Sequence, residues 1–304
     1  MRVMTVTGPI EGEQLGITLP HEHIIVDLRH SLSGFDAILN DVDIAIDEVR
    51  TFHQAGGRSI VEVSNGPMGR DAQALRRISE ETGVHIVAAT GFHTENYFPR
   101  YVYEFSTNRL ADLLVDELTN GIDGTDICAG IIAEIGTQRD HITPAEERAF
   151  RAAARANRRT GAAIYTHTYL EQLIPDQLEI LTDEGVDPGR IIIGHLGDQR
   201  NFDRLRSVAA AGVYLGIDHI GATVHQSDQQ RAKTVATLVA EGFLSQILLS
   251  HDICMKSSLH WHGGTGYDYL LTQFVSLLQS EGLTETEVNT LLVENPRRAL
   301  AFDV

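Results

Sequence analysis

Residues 15–24 have the sequence LGITLPHEHI, an apolar stretch that ends in two histidines separated by one residue. Side chains alternate between the two faces of a strand, so His21 and His23 are predicted to share one face. Two imidazoles on one face can bind the same metal ion, although a single HxH pair is a weak signal because chance pairs are common. Glu22 is predicted to point the other way and to pair with a basic residue at the rim or outer layer.

Seven more short apolar runs follow this stretch, and amphipathic patterns separate nearly all of them. Several runs are continuously apolar, which is typical of strands buried on both faces of a parallel sheet. The eight predicted strands cover residues 16–27, 58–64, 85–91, 130–136, 162–168, 190–195, 212–218 and 246–252.

The intervening patterns predict helices that repeatedly end at a glycine before the next strand begins. The clearest begins at Thr143, which is followed by Pro144 and, three residues after the cap, by Glu146, a typical start of a helix. The predicted helices cover residues 41–55, 144–160, 170–184, 201–211 and 229–241, with two closing helices at 266–280 and 284–302.

Eight strands alternating with helices over 304 residues predict an α/β fold of the (β/α)8 TIM barrel type. The alternative is a doubly wound sheet. The barrel is favoured because no glycine-rich phosphate loop follows the first strand and no linker or shift of composition divides the chain. We therefore predict a single domain over residues 1–304.

The composition narrows the classes of function. A net charge of -18 argues against nucleic acid or an anionic membrane surface as the main partner, and is compatible with cations. The N-terminus has no apolar signal segment, and no apolar run approaches the roughly 18–20 residues of a membrane helix, which predicts a cytoplasmic protein. Fourteen histidines are many for this length, and several follow strands, which suggests metal binding.

Metal-ligating residue types lie at the ends of five predicted strands. Any one of them alone would more often be structural, so only their coincidence carries weight. In a barrel these strand ends converge on one mouth, where four histidines and two carboxylates could hold two divalent ions with one carboxylate bridging. Such ligands suit Zn, Mn, Co or Fe without choosing among them. The candidate ligands are His21, His23, Glu134, His167, His195 and Asp252.

LGITLPHEHI, AGIIAEIGT, RIIIGHLGD and ENPRRALAF, taken in this order along the chain, resemble the phosphotriesterase family of the amidohydrolase superfamily. The resemblance implies a barrel with a binuclear metal centre, zinc being the first expectation, and a bridging hydroxide. It also implies that His21, His23 and Asp252 hold the more buried metal ion. His167 and His195 would hold the more exposed one.

The fourth strand departs from the founding members of that family, which bridge their metals with a carboxylated lysine. At the matching place this chain has Ala133 followed by Glu134. The AEIG form is similar to the subgroup of phosphotriesterase homology proteins, in which that glutamate is the bridging ligand. A shift of one residue along a strand changes the face, so we expect either a local bulge or a different strand setting here. The departure puts efficient organophosphate hydrolysis in doubt.

Three residues are predicted to move the proton during hydrolysis. Asp252 is both a candidate ligand and the natural acid–base group. The resemblance implies a proton relay from Asp252 through His219 to Asp198, but His219 could instead only orient Asp252. His251 should point to the opposite face of its strand and serve a structural role.

The substrate is predicted only by class. His93 and Tyr97, in the loop after the third strand, and Lys256, after the eighth, are candidates for binding a small-molecule substrate. Hydrolysis of a carboxylic ester, lactone or amide is the leading hypothesis. The alternatives are phosphotriester hydrolysis and a catalytically silent metal-binding barrel. The resemblance also implies a possible homodimer.

Overall fold

The computed structural model describes residues 1–30, 34–199, 201–224 and 226–303. Its central feature is one eight-stranded sheet, in which every paired neighbour is parallel. The strands are β1 (Thr18–Glu22), β2 (Ser59–Glu62), β3 (His85–Thr90), β4 (Ile131–Thr137), β5 (Ile164–Thr168), β6 (Ile191–Ile193), β7 (Tyr214–Ile217) and β8 (Ile247–Leu249).

The strands lie side by side in chain order from β1 to β8. Backbone hydrogen bonds join the end of β1 to the segment after β8: Asp252 N donates to His21 O at 3.2 Å, and His23 N donates to Ile253 O at 3.2 Å. This sequential order and closure confirm the TIM barrel and exclude the doubly wound sheet, whose strand order reverses.

Helices lie between successive strands, as the periodicity predicted. The helix predicted at 144–160 has those bounds in the structure, with reciprocal capping between Thr143 and Glu146. Two helices between early strands were not delimited from the sequence, at Ala72–Thr82 and Thr107–Thr119. The helices are α1 (Val42–Gln54), α2 (Ala72–Thr82), α3 (Thr107–Thr119), α4 (Pro144–Thr160), α5 (Ile174–Asp183), α6 (Phe202–Ala210), α7 (Asp228–Ala240) and α8 (Val275–Ser280).

Shorter elements complete the chain. A single helical turn lies at Tyr101–Glu104, and π-helical segments lie at Leu270–Phe274, directly before α8, and at Thr290–Glu294. The last π-helical segment joins α-helices at Glu285–Asn289 and Asn295–Leu300, so the closing region predicted at 284–302 is helical with a changed hydrogen-bond pattern.

The prediction of one continuous strand over 16–27 was wrong. The barrel strand ends at Glu22, and Val26–Asp27 pairs instead with Ile38–Leu39 in a small antiparallel hairpin. The physical reason is that the Glu62 carboxylate accepts hydrogen bonds from the backbone amides of Ile24 and Ile25, replacing the ladder that a longer strand would need.

Two apolar layers surround the strands. An inner core fills the barrel with side chains such as Val61, Val87 and Leu248, and an outer core packs the strands against the helices. An N-terminal hairpin that the sequence did not reveal, Arg2–Thr5 with Gly8–Glu11, contributes Val3 to the inner core. Within the described residues, no helix is long and apolar enough to span a membrane.

Candidate metal centre

Irregular pairing in β4 places Glu134 inside the barrel. Ile132 pairs with Ile164 and Ile135 pairs with Thr166, so three steps along β4 face two along β5. The extra residue allows both Ala133, which packs in the inner core, and Glu134 to point inward. Of the two alternatives expected from the sequence, the pairing shows the local bulge. The peptide bond between these two residues is cis.

The same irregularity occurs in β1, in the segment that contains the first histidine. Leu19 pairs with Ile60 and Glu22 pairs with Glu62, so three steps again face two. His21 lies within this shift, and its ring lies inside the barrel, edge-on to the Tyr165 ring with 4.6 Å between centroids.

Asn65, in the loop after β2, holds the backbone around Glu134. Its side-chain amide donates to Ala133 O at 3.3 Å and to Glu134 O at 3.2 Å, and the whole residue is buried. Asn65 could not be recognised from the sequence, because an asparagine after a strand is ordinarily a turn residue.

We expect Asn65→Ala to destabilise the fold by about 1–3 kcal/mol, because it leaves two buried carbonyls without their donor. It should also weaken metal binding, since Glu134 loses its backbone support. Urea unfolding and metal titration would measure the two effects. Asn40→Ala, at an exposed position, is the control. Wild-type stability and metal affinity in Asn65→Ala would contradict the assigned role.

A first group of candidate ligands lies deep in the mouth. Asp252 Oδ1 is 3.4 Å from His21 Nε2 and 3.1 Å from His23 Nε2. Glu134 Oε1 is 3.2 Å from His21 Nε2. One ligand atom each from His21, His23 and Asp252 lies within 4.8 Å of the others, which is close enough to hold one ion.

A second group lies on the other side of Glu134. Glu134 Oε1 is 3.3 Å from His167 Nδ1 and 3.4 Å from His195 Nε2. The two imidazole nitrogens are only 2.7 Å apart. The structure therefore brings all six predicted ligands together, with Glu134 between the two groups.

The chemistry of this cluster fits divalent cations. Both ring nitrogens of His21 and Oδ1 of Asp252 are buried and make no hydrogen bond within the described chain. Burial alone would lower the pKa of His21, but the Glu134 and Asp252 carboxylates raise it to about 10. The cluster thus attracts positive charge to buried nitrogen and oxygen atoms that lack other partners, as expected of a metal site.

Two of the candidate histidines are oriented by residues that the sequence analysis gave no role. His23 Nδ1 lies 2.8 Å from Ser64 Oγ. His195 donates its backbone N–H to Asp218 Oδ2 at 2.9 Å, and its Nδ1 lies 3.2 Å from Asp218 Oδ1. Such partners fix the ring orientation of a ligand. The available signal was that each follows a barrel strand, as the ligands do.

A chain of polar contacts leads away from the cluster. His219 Nε2 lies 3.0 Å from Asp252 Oδ2, and its Nδ1 lies 2.7 Å from Asp198 Oδ2. Burial opposes charging of His219, yet Asp198 and Asp252 raise its pKa to about 9. The reciprocal effect of His219 and Arg231 outweighs burial and lowers the pKa of Asp198 to about 2. The three predicted acid–base residues are therefore in contact, in the predicted order.

Arg231 anchors this chain from helix α7. Its guanidinium is fully buried and donates to Asp198 Oδ1 at 2.5 Å and to Asp228 Oδ1 at 2.8 Å. Arginine is seldom buried unless it is paired. The sequence did not reveal this role, because an arginine in a helix ordinarily lies on the solvated face.

Three site residues have left-handed backbone conformations. The φ angles are 60° for His195, 64° for His219 and 57° for Asp252. Residues other than glycine seldom adopt this region, and when they do they cluster at functional sites. The strand ends of β6, β7 and β8 thus depart from regular geometry where the candidate chemistry lies.

Glu22 points away from the cluster, as predicted, but it is buried rather than at the rim. Its Oε1 accepts hydrogen bonds from Ser250 Oγ and from the backbone N of His251, both at 2.8 Å, and lies 2.9 Å from His251 Nδ1. Its Oε2 accepts from Ile253 N at 2.9 Å. Glu22 and His251 therefore help to join β1 to the continuation of β8.

The three candidate substrate contacts lie in different surroundings. His93 is buried, and its Nδ1 is 3.3 Å from Glu134 Oε2. The Tyr97 ring packs edge-on against His93, with 5.2 Å between centroids. Lys256 lines a cavity of about 20 Å³ together with Leu39 and Asp41, near the start of α1. Only His93 directly contacts a candidate metal ligand among the contacts described.

A barrel whose mouth holds a buried cluster of imidazoles and carboxylates is the arrangement typical of metal-dependent barrel hydrolases. A sequence model of the Phosphotriesterase family matches residues 1–300. The chain belongs to this family of hydrolases.

Three relatives with different names are similar to this chain over nearly its whole length. The phosphotriesterase homology protein of Escherichia coli is 39% identical over 92% of this chain and 96% of its own length. The N-acetyltaurine hydrolase of Danio rerio is 30% identical, with 99% and 98% covered. The aryldialkylphosphatase of Saccharolobus solfataricus is 31% identical, with 95% and 96% covered.

Solved structures agree with this fold over nearly the whole chain. The E. coli phosphotriesterase homology protein, complexed with phosphate in its active site, has a TM-score of 0.92 at 38% identity, covering 95% of this chain and 99% of that one. A resiniferatoxin-binding protein from Rhodobacter sphaeroides scores 0.92 at 34%, covering 98% and 94%. A lactonase from Listeria monocytogenes scores 0.94 at 29%, covering all of both chains.

Proposed function

We propose that this protein is a binuclear metal-dependent hydrolase that cleaves a carboxylic ester, lactone or amide bond. The observation that carries the proposal is the position of Asp252. One of its oxygens contacts the His21 and His23 imidazoles, and the other contacts His219. Asp252 is thereby both a candidate ligand and the first group of a route for protons.

The metal ions would be held by the six clustered residues. His21, His23 and Asp252 fit the more buried ion, and His167 and His195 the more exposed one, with Glu134 between them. Zinc is our first expectation, with Mn, Co or Fe as alternatives. Bound divalent ions would lower the pKa of a water molecule and polarise the scissile oxygen.

The protein's own residues would then manage the proton. Asp252 Oδ2 takes the proton of the attacking water and passes it to His219 Nε2, which lies 3.0 Å away. This requires a neutral His219, which follows when ligation neutralises the Asp252 carboxylate that otherwise raises the pKa of that imidazole. Asp198 holds the other ring nitrogen at 2.7 Å and stabilises the imidazolium that results. Arg231 keeps Asp198 ionised and fixed in place. The same route, in reverse, returns the proton to the leaving group.

We expect His219→Asn to lower kcat by roughly ten- to a hundredfold with two metal ions retained, because asparagine can contact Asp252 but cannot carry the proton. The pH dependence of kcat should lose the limb due to His219. Initial rates across pH and metal analysis would test this. If His219 only orients Asp252, the variant should keep both its pH profile and most of its rate. His141→Asn, in an exposed loop, is the control.

The choice of bond rests on two relatives. An N-acetyltaurine hydrolase acts on an amide and a lactonase on a cyclic ester, and each matches the chain over nearly all its length. Phosphotriester hydrolysis is the second candidate, favoured by the aryldialkylphosphatase. Metal-loaded protein assayed with lactones, N-acyl amino compounds, aryl esters and aryl phosphotriesters would rank them. A kcat/KM highest for phosphotriesters would overturn the preference.

A silent metal-binding barrel is the alternative from another class, and the similarity to a resiniferatoxin-binding protein supports it. The intact contacts of Asp252 and His219 favour an enzyme, because binding alone requires no proton route.

We also propose a cytoplasmic homodimer with a small-molecule substrate and neither nucleic acid nor membrane as partner. Light scattering on purified protein would test the dimer.

A further inference from the structure

His93 is a buried histidine that the route for protons does not use. It follows β3, only 5% of its surface is exposed, and it lies beside the group formed by Glu134 and His167. A buried imidazole in an apolar setting would need a polar partner. His93 therefore requires an explanation beyond loop packing.

The ring nitrogen Nδ1 of His93 points into the cluster. It is 3.3 Å from Glu134 Oε2, and the His93 and His167 ring centroids are 4.6 Å apart. Within the described residues Nδ1 makes no hydrogen bond. One ligand atom each from His93, Glu134 and His167 lies within 4.8 Å of the other two, so these residues form a three-ligand group of their own.

The surrounding structure fixes this position. Tyr97 packs edge-on against the His93 ring. On the other side, Gly136 N donates to His93 O at 2.6 Å. A Cβ at position 136 would come within 2.9 Å of His93 O and 2.8 Å of His167 Cβ, so only glycine permits this approach. The backbone of His93 is thus held against β4 beside the bulge that positions Glu134.

We propose that His93 is a further metal ligand, whose Nδ1 coordinates the more exposed ion together with Glu134, His167 and His195. This inference rests on the metal pair of the proposed function. Without His93 the more exposed position has three protein ligands, whereas the buried position has four in His21, His23, Glu134 and Asp252. With His93 each of the two positions has four protein ligands, which favours tight retention of the second ion.

The test is titration of metal-free protein with Co²⁺, followed by visible absorption, with the bound imidazoles counted by X-ray absorption spectroscopy. We expect His93→Phe and His93→Asn to weaken the second equivalent by more than about a hundredfold, which exceeds the typical cost of losing an outer-shell partner, with the first nearly unchanged. The imidazole count should fall from five to four, the five being His21, His23, His93, His167 and His195. His141→Asn, an exposed histidine, is the matched control.

Three outcomes would overturn the inference. Wild-type affinity for the second Co²⁺ in both variants is one, and four imidazoles in the wild-type protein is another. The third is normal affinity in His93→Asn but not in His93→Phe, which would assign His93 a hydrogen bond to Glu134 instead. Far-UV circular dichroism would show that each variant folds. The readout needs no substrate, so five imidazoles with no hydrolysis would sustain this inference while the proposed activity fails.

Discussion

Replacing Asp252 with asparagine is expected to lower kcat/KM by about a thousandfold or more. The substitution removes a general base, whose contribution is typically about 10²–10⁴-fold, and it also removes one negative charge from the buried ligand group. Asp252 Oδ1 contacts two candidate metal-binding imidazoles and Oδ2 contacts His219. Steady-state kinetics on the best substrate of the panel would measure the effect.

Metal analysis separates the two causes of that loss. Asparagine keeps an oxygen at the ligand position, so a variant assayed with excess metal should regain occupancy but not rate. Asp140→Asn, an exposed carboxylate after β4, should behave as wild type. Hydrolysis unchanged in Asp252→Asn would show that Asp252 is not the acid–base group, and the proposed mechanism would be wrong.

The sequence predicted the residues at the mouth of the barrel better than the residues that hold them in place. His21, Glu134, His195 and Asp252 were found because residues at the C-terminal ends of barrel strands converge whatever the details of packing. The bridging role of Glu134 came from a resemblance, because strict alternation would have turned either it or Ala133 outward. The extra residue that resolves this conflict appears only in the pairing of β4 with β5.

The supporting residues could not be predicted because their roles depend on contacts across the fold. Arg231 belongs to a helix on the outside of the barrel, yet it reaches Asp198 after β6. Asn65 lies in the loop after β2 but acts on the backbone of β4. From the sequence alone, Arg231 resembles an ordinary surface residue and Asn65 an ordinary turn residue. Only the packed structure shows that they are buried and bonded.

Replacing Glu134 with alanine is expected to weaken the binding of both metal ions, by at least about a hundredfold for the weaker. Glu134 Oε1 lies 3.2–3.4 Å from three imidazoles belonging to both ligand groups. Without this carboxylate, buried imidazoles would face one another with less negative charge to attract a cation. Glu134→Gln keeps the volume and loses the charge, so it should lose metal as well.

The loss should also appear as lower stability in the presence of metal. A hundredfold weaker Kd at saturating metal removes about 2.7 kcal/mol of linked stabilisation for one ion. Thermal unfolding with metal or with a chelator would therefore show a smaller difference in Tm for Glu134→Ala than for wild type. Glu80→Ala, at an exposed position on α2, should retain the full difference. If Glu134→Ala kept two ions at wild-type affinity, the glutamate would not bridge them, and Asp252 with the histidines would have to hold both.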